Sequence, residues 1–425
     1  MKRIYSIIAA VAVTGSVCAT ETDTIVCRIT GTVIGRPECK EVTIMESGND
    51  MRINGVIPVK IVDGKFSYTL RSDVPRAYQL FFYDDVKKYG GYRYIPFMSG
   101  NGDIEMICYD REREDSSKIV SSTVPENLIA KRFDDIYAKE CGAEQDLVYA
   151  GIDSLYACGA AYTPEFGQLL NRQKATPKGG ERDSLNRLIT EYSSRPKDQR
   201  YTREYLEYDK RLNKVMLKRD SLTRIFISGT PSVFGLNKIK EVLLQKTPLA
   251  DIDDYVHIFE TVYKDSMAEH PYIADITQLL EAKKVKAGNK YPDYKITRPD
   301  GSTEMISSLI DGNVAVINLW ASWCGPCRRH SMELIPIYEK YKDRGFKVVA
   351  IAREVLATLM DKAMEKDSYP WESFVDLNDN DGVWRKNGAG NSGGKIILVG
   401  ADGVIVGTDM PAKEIEEYLV KHYDR

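Results

Sequence analysis

Beyond its first twenty residues the chain lacks any apolar run near the ~18 residues that a membrane helix needs. The mature protein is therefore not expected to span a membrane. It also lacks a basic excess: 59 Lys and Arg stand against 62 Asp and Glu, a net charge of −3. That balance removes the counterion-releasing attraction on which phosphate binding depends, so nucleic acid is not an expected partner. A second Cys-x-x-Cys and a close Cys/His pair are missing as well. The pair at Cys324 and Cys327 thus has no route to the four ligands of structural zinc, which His330 alone does not complete. No metal and no other cofactor is expected. Repeats and low-complexity tracts are absent, and 43% hydrophobic with 28% charged residues is the composition of ordinary globular protein.

What is present begins with an address. Lys2 and Arg3 precede an apolar stretch at residues 7–13, and small residues end at Val17, Cys18 and Ala19. This has the form of a secretory signal over residues 1–19, cut after Ala19. The alternative is a lipoprotein anchored through Cys18. Either way the expected location is the periplasm or cell envelope. Cutting after Ala19 leaves seven of the eight cysteines, an odd number that argues against a full disulfide framework. Cys27, Cys39, Cys108, Cys141 and Cys158 read as buried small side chains, or as one structural pair plus free thiols.

At 425 residues the chain is long enough for several domains. The expected architecture is multidomain α+β. Over residues 24–115 the pattern has period two, with Ile25, Cys27, Ile29 and Val33 on one face, and Asp63-Gly64 between Val59/Ile61 and Phe66/Tyr68/Leu70 reads as a type I′ hairpin turn. An antiparallel sandwich or barrel follows. Residues 125–286 change to helical spacing, with a loop at residues 174–182. The stripe Tyr201, Tyr205, Tyr208, Leu212 and Val215 reads as core rather than as a ligand surface. Residues 287–425 alternate strand, helix, strand, as a parallel βαβ unit does.

The chemistry sits in "VAVINLWASWCGPCRRH", where Trp323-Cys324-Gly325-Pro326-Cys327 follows a buried strand and opens a helix. Unpaired N–H groups and the positive end of the helix dipole favour a thiolate at Cys324, making it the nucleophile. Cys327, one turn along, is placed to resolve the mixed disulfide. A peroxidase site would instead need Pro-x-x-x-Thr-x-x-Cys, and here Ile317, Trp320 and Ala321 occupy that stretch. "DLNDNDG" has a calcium-loop flavour, but Asp381 stands where such a loop needs glycine if Asp376 is the first ligand, so it reads as a solvated turn.

On these residues the segment "NLWASWCGPCRR" resembles thioredoxin, and more narrowly the exported thiol-disulfide reductases of the TlpA and ResA type, over residues 287–425. Trp320 and Trp323 match that family's paired tryptophans, and Asn318 falls where thioredoxin has a buried Asp. The β region, through "VDGKFSYTL" and "IPFMSGNGDIEM", is similar to a small domain of uncharacterised function that precedes thioredoxin modules in bacterial envelope proteins. The resemblance implies reduction of disulfides in exported proteins, with electrons from a membrane thiol carrier. It also exposes three departures. His330 replaces a Glu, and an imidazole can move protons near neutral pH. The helix proline is missing at Met332 while Pro336 lies further on, which predicts a bend or break. Gly394 stands where the family has a cis-proline facing the cysteines, because no proline occurs between Pro370 and Pro411. An envelope binding protein with a degenerate thioredoxin fold is the non-enzymatic alternative.

Overall fold

The computed structural model describes residues 24–245 and 251–424. The stretch read as a signal, with Cys18, lies outside the described residues. The first domain contains β1 (Ile25–Val33), β2 (Glu41–Glu46), β3 (Ile57–Lys60), β4 (Lys65–Ser72), β5 (Ala77–Phe81), a short helix α1 (Tyr83–Tyr89), β6 (Tyr94–Met98), β7 (Gly102–Cys108) and β8 (Lys118–Ser122). They form two four-stranded sheets, ordered β4-β1-β7-β8 and β3-β2-β5-β6. Alternate residues point inward, so Cys27, Ile29 and Val33 share one core with Ile44, Leu80 and Phe97 of the other sheet.

Three details differ from the sequence reading. β1 and β7 run parallel; parallel neighbours cannot be joined by a tight turn, and the whole second sheet is threaded between these two. The Asp63-Gly64 turn has the two positive φ angles of type I′, 50° and 70°, yet only the Val62–Lys65 bridge follows it. β3 and β4 then diverge into opposite sheets, so the turn is a corner between layers and not a hairpin ladder. β8 carries the sandwich to Ser122, past the expected limit at residue 115.

Helices α2 (Pro125–Tyr137), α3 (Ala143–Ala157), α4 (Pro164–Ala175), α5 (Gly180–Ser193), α6 (Arg203–Gly229), α7 (Val233–Leu244), α8 (Ile252–Ile258) and α9 (Pro271–Ala282) make the central segment. The loop between α4 and α5 is only residues 176–179, since Gly180 already begins the next helix. The tyrosine stripe packs on itself: Tyr201 and Tyr205 stack at 4.2 Å between centroids, and Tyr156 meets Tyr205 edge-on at 5.8 Å. The tyrosine stripe is not core: Tyr201, Tyr205 and Tyr208 are half-buried and Tyr156 is exposed, so the rings cover one another at the surface.

Buried polar bonds join this segment to the sandwich. Asn127 accepts from Met98 N–H at 2.8 Å and donates to its carbonyl at 2.9 Å, and the Ala77 N–H donates to the Tyr272 hydroxyl at 2.9 Å. His270 caps α9 by accepting from Tyr272 N–H at 3.1 Å through Nδ1, while Nε2 lies 2.9 Å from the Pro75 carbonyl. Those partners fix the neutral tautomer with the proton on Nε2. Burial holds this imidazole below its usual value near 6.5, with Arg76 and Lys240 adding to the effect against the Pro75 carbonyl and Asp275. The unfolded chain therefore takes up a proton before the folded one does, and stability is lost as pH falls from about 6.5 toward the depressed folded value. His270→Asn keeps a capping acceptor and does not titrate. Urea midpoints between pH 7 and 5 should fall more for the parent protein than for this variant, and equal slopes would remove His270 from the pH dependence.

The last domain comprises β9 (Lys295–Thr297), β10 (Thr303–Met305), α10 (Ile306–Ile310), β11 (Ala315–Trp320), α11 (Gly325–Tyr341), β12 (Lys347–Glu354), α12 (Ala357–Asp367), β13 (Ser373–Leu377), α13 (Val383–Lys386), β14 (Lys395–Val399), β15 (Ile405–Thr408) and α14 (Ala412–Tyr423). Its main sheet is ordered β13-β12-β11-β14-β15, with β11, β12 and β13 parallel and β14 antiparallel to β11. Central β11 is buried along its whole length, which explains why it reads as an apolar run broken only by Asn318. Ile317 and Leu319 face one core while Val316 and Trp320 face the other. Helix α11 continues through Pro336 without a break. The missing Pro336 N–H orphans only the Met332 carbonyl, and Met332 is exposed, so water can satisfy it. Among the described residues no helix is long and apolar enough to cross a membrane.

Candidate active site

The topology builds the site at the carboxyl end of β11. The chain leaves that strand at Trp320, turns, and enters α11, with Cys324 as the residue that caps the helix. Pro326 occupies the first turn, where its missing N–H costs nothing. Because β14 runs antiparallel to β11, with Leu319 opposite Lys395, the residues just before β14 arrive beside the cysteines. Cys324 and Cys327 are joined as a disulfide, Cα atoms 5.3 Å apart. The Cys327 N–H donates to Cys324 Sγ at 3.3 Å, and the Gly394 N–H donates to Cys327 Sγ at 3.2 Å. Each sulfur thus faces a backbone donor, which stabilises negative charge on either atom when the bond opens.

Gly394 has a steric reason as well. A Cβ at this position would lie 1.7 Å from the Leu319 carbonyl oxygen, and no cis peptide bond occurs among the described residues. The loop before β14 therefore runs closer to β11 than any side chain permits, and the N–H it gives to Cys327 is one that proline could not offer.

The other expected site residues fall at varied distances from the chemistry. Gly325 and Pro326 are exposed at the mouth, while Cys324 is only 4% exposed. Trp323 is half-buried and packs its ring 5.7 Å from that of Trp384. Asn318, on β11, donates through Nδ2 to buried Ser331 of α11 at 2.8 Å, and its Oδ1 is buried without a partner. It ties strand to helix beneath the cysteines. His330 is half-buried on α11, and its Nε2 likewise has no protein partner. The remaining cysteines stay apart: Cys27, Cys39, Cys108 and Cys141 are buried free thiols and Cys158 is an exposed one. Burial pushes the Cys108 thiol up to about 12, so it is inert.

Two features were not read from the sequence. Glu354, fully buried at the end of β12, accepts from the Ser322 N–H at 2.5 Å and from its hydroxyl at 3.0 Å. Arg328 grips the other side of the same residue, donating to the Ser322 carbonyl at 3.2 Å while paired with Asp367 at 2.6 Å. The turn before Cys324 is thereby clamped, and burial pushes the Glu354 carboxyl up. The signal was visible as Arg353-Glu354 closing an otherwise apolar strand. The second feature corrects the solvated-turn reading of "DLNDNDG". Asp376 is buried and caps the start of α13, accepting from Asp381 and Val383 N–H at 2.9 and 2.8 Å. Asp379 is buried too and pairs with Arg353 at 3.0 Å. Two acids of this turn stay buried because backbone donors satisfy Asp376 while Arg353 and Arg385 pair with Asp379.

Comparison with known proteins agrees with this architecture. Residues 286–418 match the family model described as Redoxin. A 98-residue stretch is 26% identical to the thiol-disulfide oxidoreductase ResA of Oceanobacillus iheyensis, covering 22% of this chain and 50% of that protein. A 99-residue stretch is 25% identical to ResA of Geobacillus kaustophilus, covering 23% and 56%. The chain thus spans about half the length of these curated relatives. Among solved structures, the thioredoxin domain of a thiol-disulfide oxidoreductase from Bacteroides vulgatus aligns with a TM-score of 0.29 at 22% identity, over 32% of this chain and 96% of that one. A thiol:disulfide interchange protein from Bacteroides sp. aligns at 0.30 and 20% identity, over 33% and 91%. The Redoxin match over residues 286–418 and the mixed sheet give the carboxy-terminal domain a thioredoxin-like architecture. The ResA proteins are similar to part of this chain, and the sandwich and most of the helical segment lie outside residues 286–418.

Proposed function

We propose that the protein is an exported thiol-disulfide oxidoreductase that reduces disulfides through Cys324 and Cys327. The observation that carries this reading is the placement of Cys324 at the cap of α11, bonded to Cys327, with backbone donors on both sulfurs. Starting from the reduced pair, the Cys324 thiolate attacks one sulfur of the substrate disulfide. A mixed disulfide forms, and the departing substrate sulfur takes up a proton. Cys327 then loses its proton and attacks Cys324 Sγ, releasing the second substrate thiol. Two electrons and two protons pass to the substrate, and the protein is left with the Cys324–Cys327 disulfide.

A dithiol donor must return those electrons, and resemblance to the exported reductases points to a membrane thiol carrier. The signal-like stretch at residues 1–19 supports a location in the envelope, where protein disulfides persist. The test is reduction of insulin by the full mature chain with dithiothreitol as donor. A rate above that of dithiothreitol alone is expected, and no acceleration on insulin or on a small disulfide would sink the reading.

A further inference from the structure

The thioredoxin-like domain does not form its active site alone. The turn at residues 47–54 of the sandwich, between β2 and β3, lies against it. This turn is built around Asp50, whose carboxylate accepts from the Arg52 N–H at 3.0 Å and whose own N–H donates to Asn54 Oδ1 at 2.9 Å. The same carboxylate holds the Arg52 side chain at 2.8 and 2.7 Å and reaches across to Arg353 at 3.3 Å. The two guanidinium groups then lie on the two tryptophans that flank the dithiol. Arg52 sits 3.6 Å above the Trp323 ring and Arg353 lies 5.2 Å from the Trp384 ring. With Trp323 against Trp384 this closes a ring of contacts: carboxylate, cation, aromatic, aromatic, cation.

The wall is fastened to the loop that lies beside the sulfurs. Arg52 Nη2 donates to the Asn391 carbonyl at 2.5 Å, and Asn391 Nδ2 donates to the Gly48 carbonyl at 3.0 Å. Asn391 is three residues before Gly394, the donor to Cys327, and Gly393 lies next to Cys324, a Cβ there falling 3.9 Å from Sγ. A substrate chain that pairs with this loop must displace Arg52. A small disulfide that needs only the sulfur of Cys324 need not.

We propose that Arg52 is a specificity-determining residue of the dithiol site, walling it against protein disulfides while small disulfides reach Cys324. The inference rests on the oxidoreductase reading above. Arg52 acts by position: Asp50 fixes its fork, Trp323 supports its face, and the Asn391 carbonyl that it occupies is closed to the backbone of a substrate chain.

The experiment compares rates on insulin with rates on neutral 2-hydroxyethyl disulfide, using the full chain and Arg52→Ala. Arg52 is 43% exposed in its side chain, and Asp50 keeps Arg353 as a partner when Arg52 is truncated. The insulin to small-disulfide rate ratio should rise about tenfold, the factor expected when one partly exposed cation–π contact with a charge-assisted hydrogen bond is lost. Arg52→Lys keeps the charge but not the planar fork and should also raise the ratio, by less. A ratio within twofold of the parent in both variants overturns the proposal. An effect on stability alone would leave the ratio unmoved. If the parent protein exchanges with neither disulfide, it is the oxidoreductase reading that fails, and the two failures are thereby told apart.

Discussion

Cys324→Ser should lower disulfide reduction by at least about a thousandfold, to the level of the dithiol donor alone. A serine hydroxyl is not ionised where a thiol at a helix cap is, and an oxygen cannot become one half of a disulfide. Cys327→Ser should behave differently, because its loss leaves the first attack intact and removes only the resolving step. The mixed disulfide on Cys324 should then accumulate and be visible as a mass increase that reductant reverses. The asymmetry follows from geometry: Cys324 caps α11 while Cys327 sits inside its first turn, accepting from Gly394. A Cys324→Ser protein that still turned over, or a Cys327→Ser protein that trapped nothing while Cys324→Ser did, would reverse the assigned roles.

Restoring the proline that the resemblance leads one to expect should harm this protein. In Gly394→Pro the ring carbon would enter space 1.7 Å from the Leu319 carbonyl, a backbone atom that can retreat only by moving β11. The substitution also deletes the N–H that faces Cys327. Overpacking of this kind costs about 3 kcal/mol, and the loss should appear in the transition of the thioredoxin-like domain during urea unfolding. Gly393→Ala is the matched control, since a Cβ there makes an ordinary 3.9 Å contact with Cys324 Sγ. It should cost under about 1 kcal/mol. Equal losses in the two variants would show that the close approach at Gly394 does not govern the loop.

The dithiol was legible in the sequence because everything that defines it is local: a buried strand, a turn and a helix cap within fifteen residues. The same holds for the alternation of Cys27, Ile29 and Val33, which names a face without naming its partner. Pairing was harder. Asp63-Gly64 fixes the turn's backbone but not whether the strands beyond it stay together, and here packing of two layers sends them apart. The strands β2, β6 and β8 went unread because polar residues interrupt their alternation: Thr43 is buried in β2 among apolar neighbours, and Ser121 of β8 bonds Glu105 across the sheet. Least legible was the wall around the site. Asp50 and Arg353 are 303 positions apart, and nothing in a turn reading "SGNDMRIN" shows that its arginine will lie on Trp323. The misreading of Asp379 has the same origin, since an acid in a turn is solvated unless a remote arginine buries it.

The assigned chemistry requires Cys324 and Cys327 to cycle as one redox pair. Differential alkylation with mass spectrometry of the full chain, poised across a series of oxidised and reduced dithiothreitol ratios, measures this directly. Both cysteines should change state together and reversibly. In the fully reduced protein Cys324 should be labelled before Cys327, and Cys27, Cys39, Cys108 and Cys141 should resist labelling in the folded state. A pair that never oxidises, or one in which Cys327 reacts first, would contradict the account.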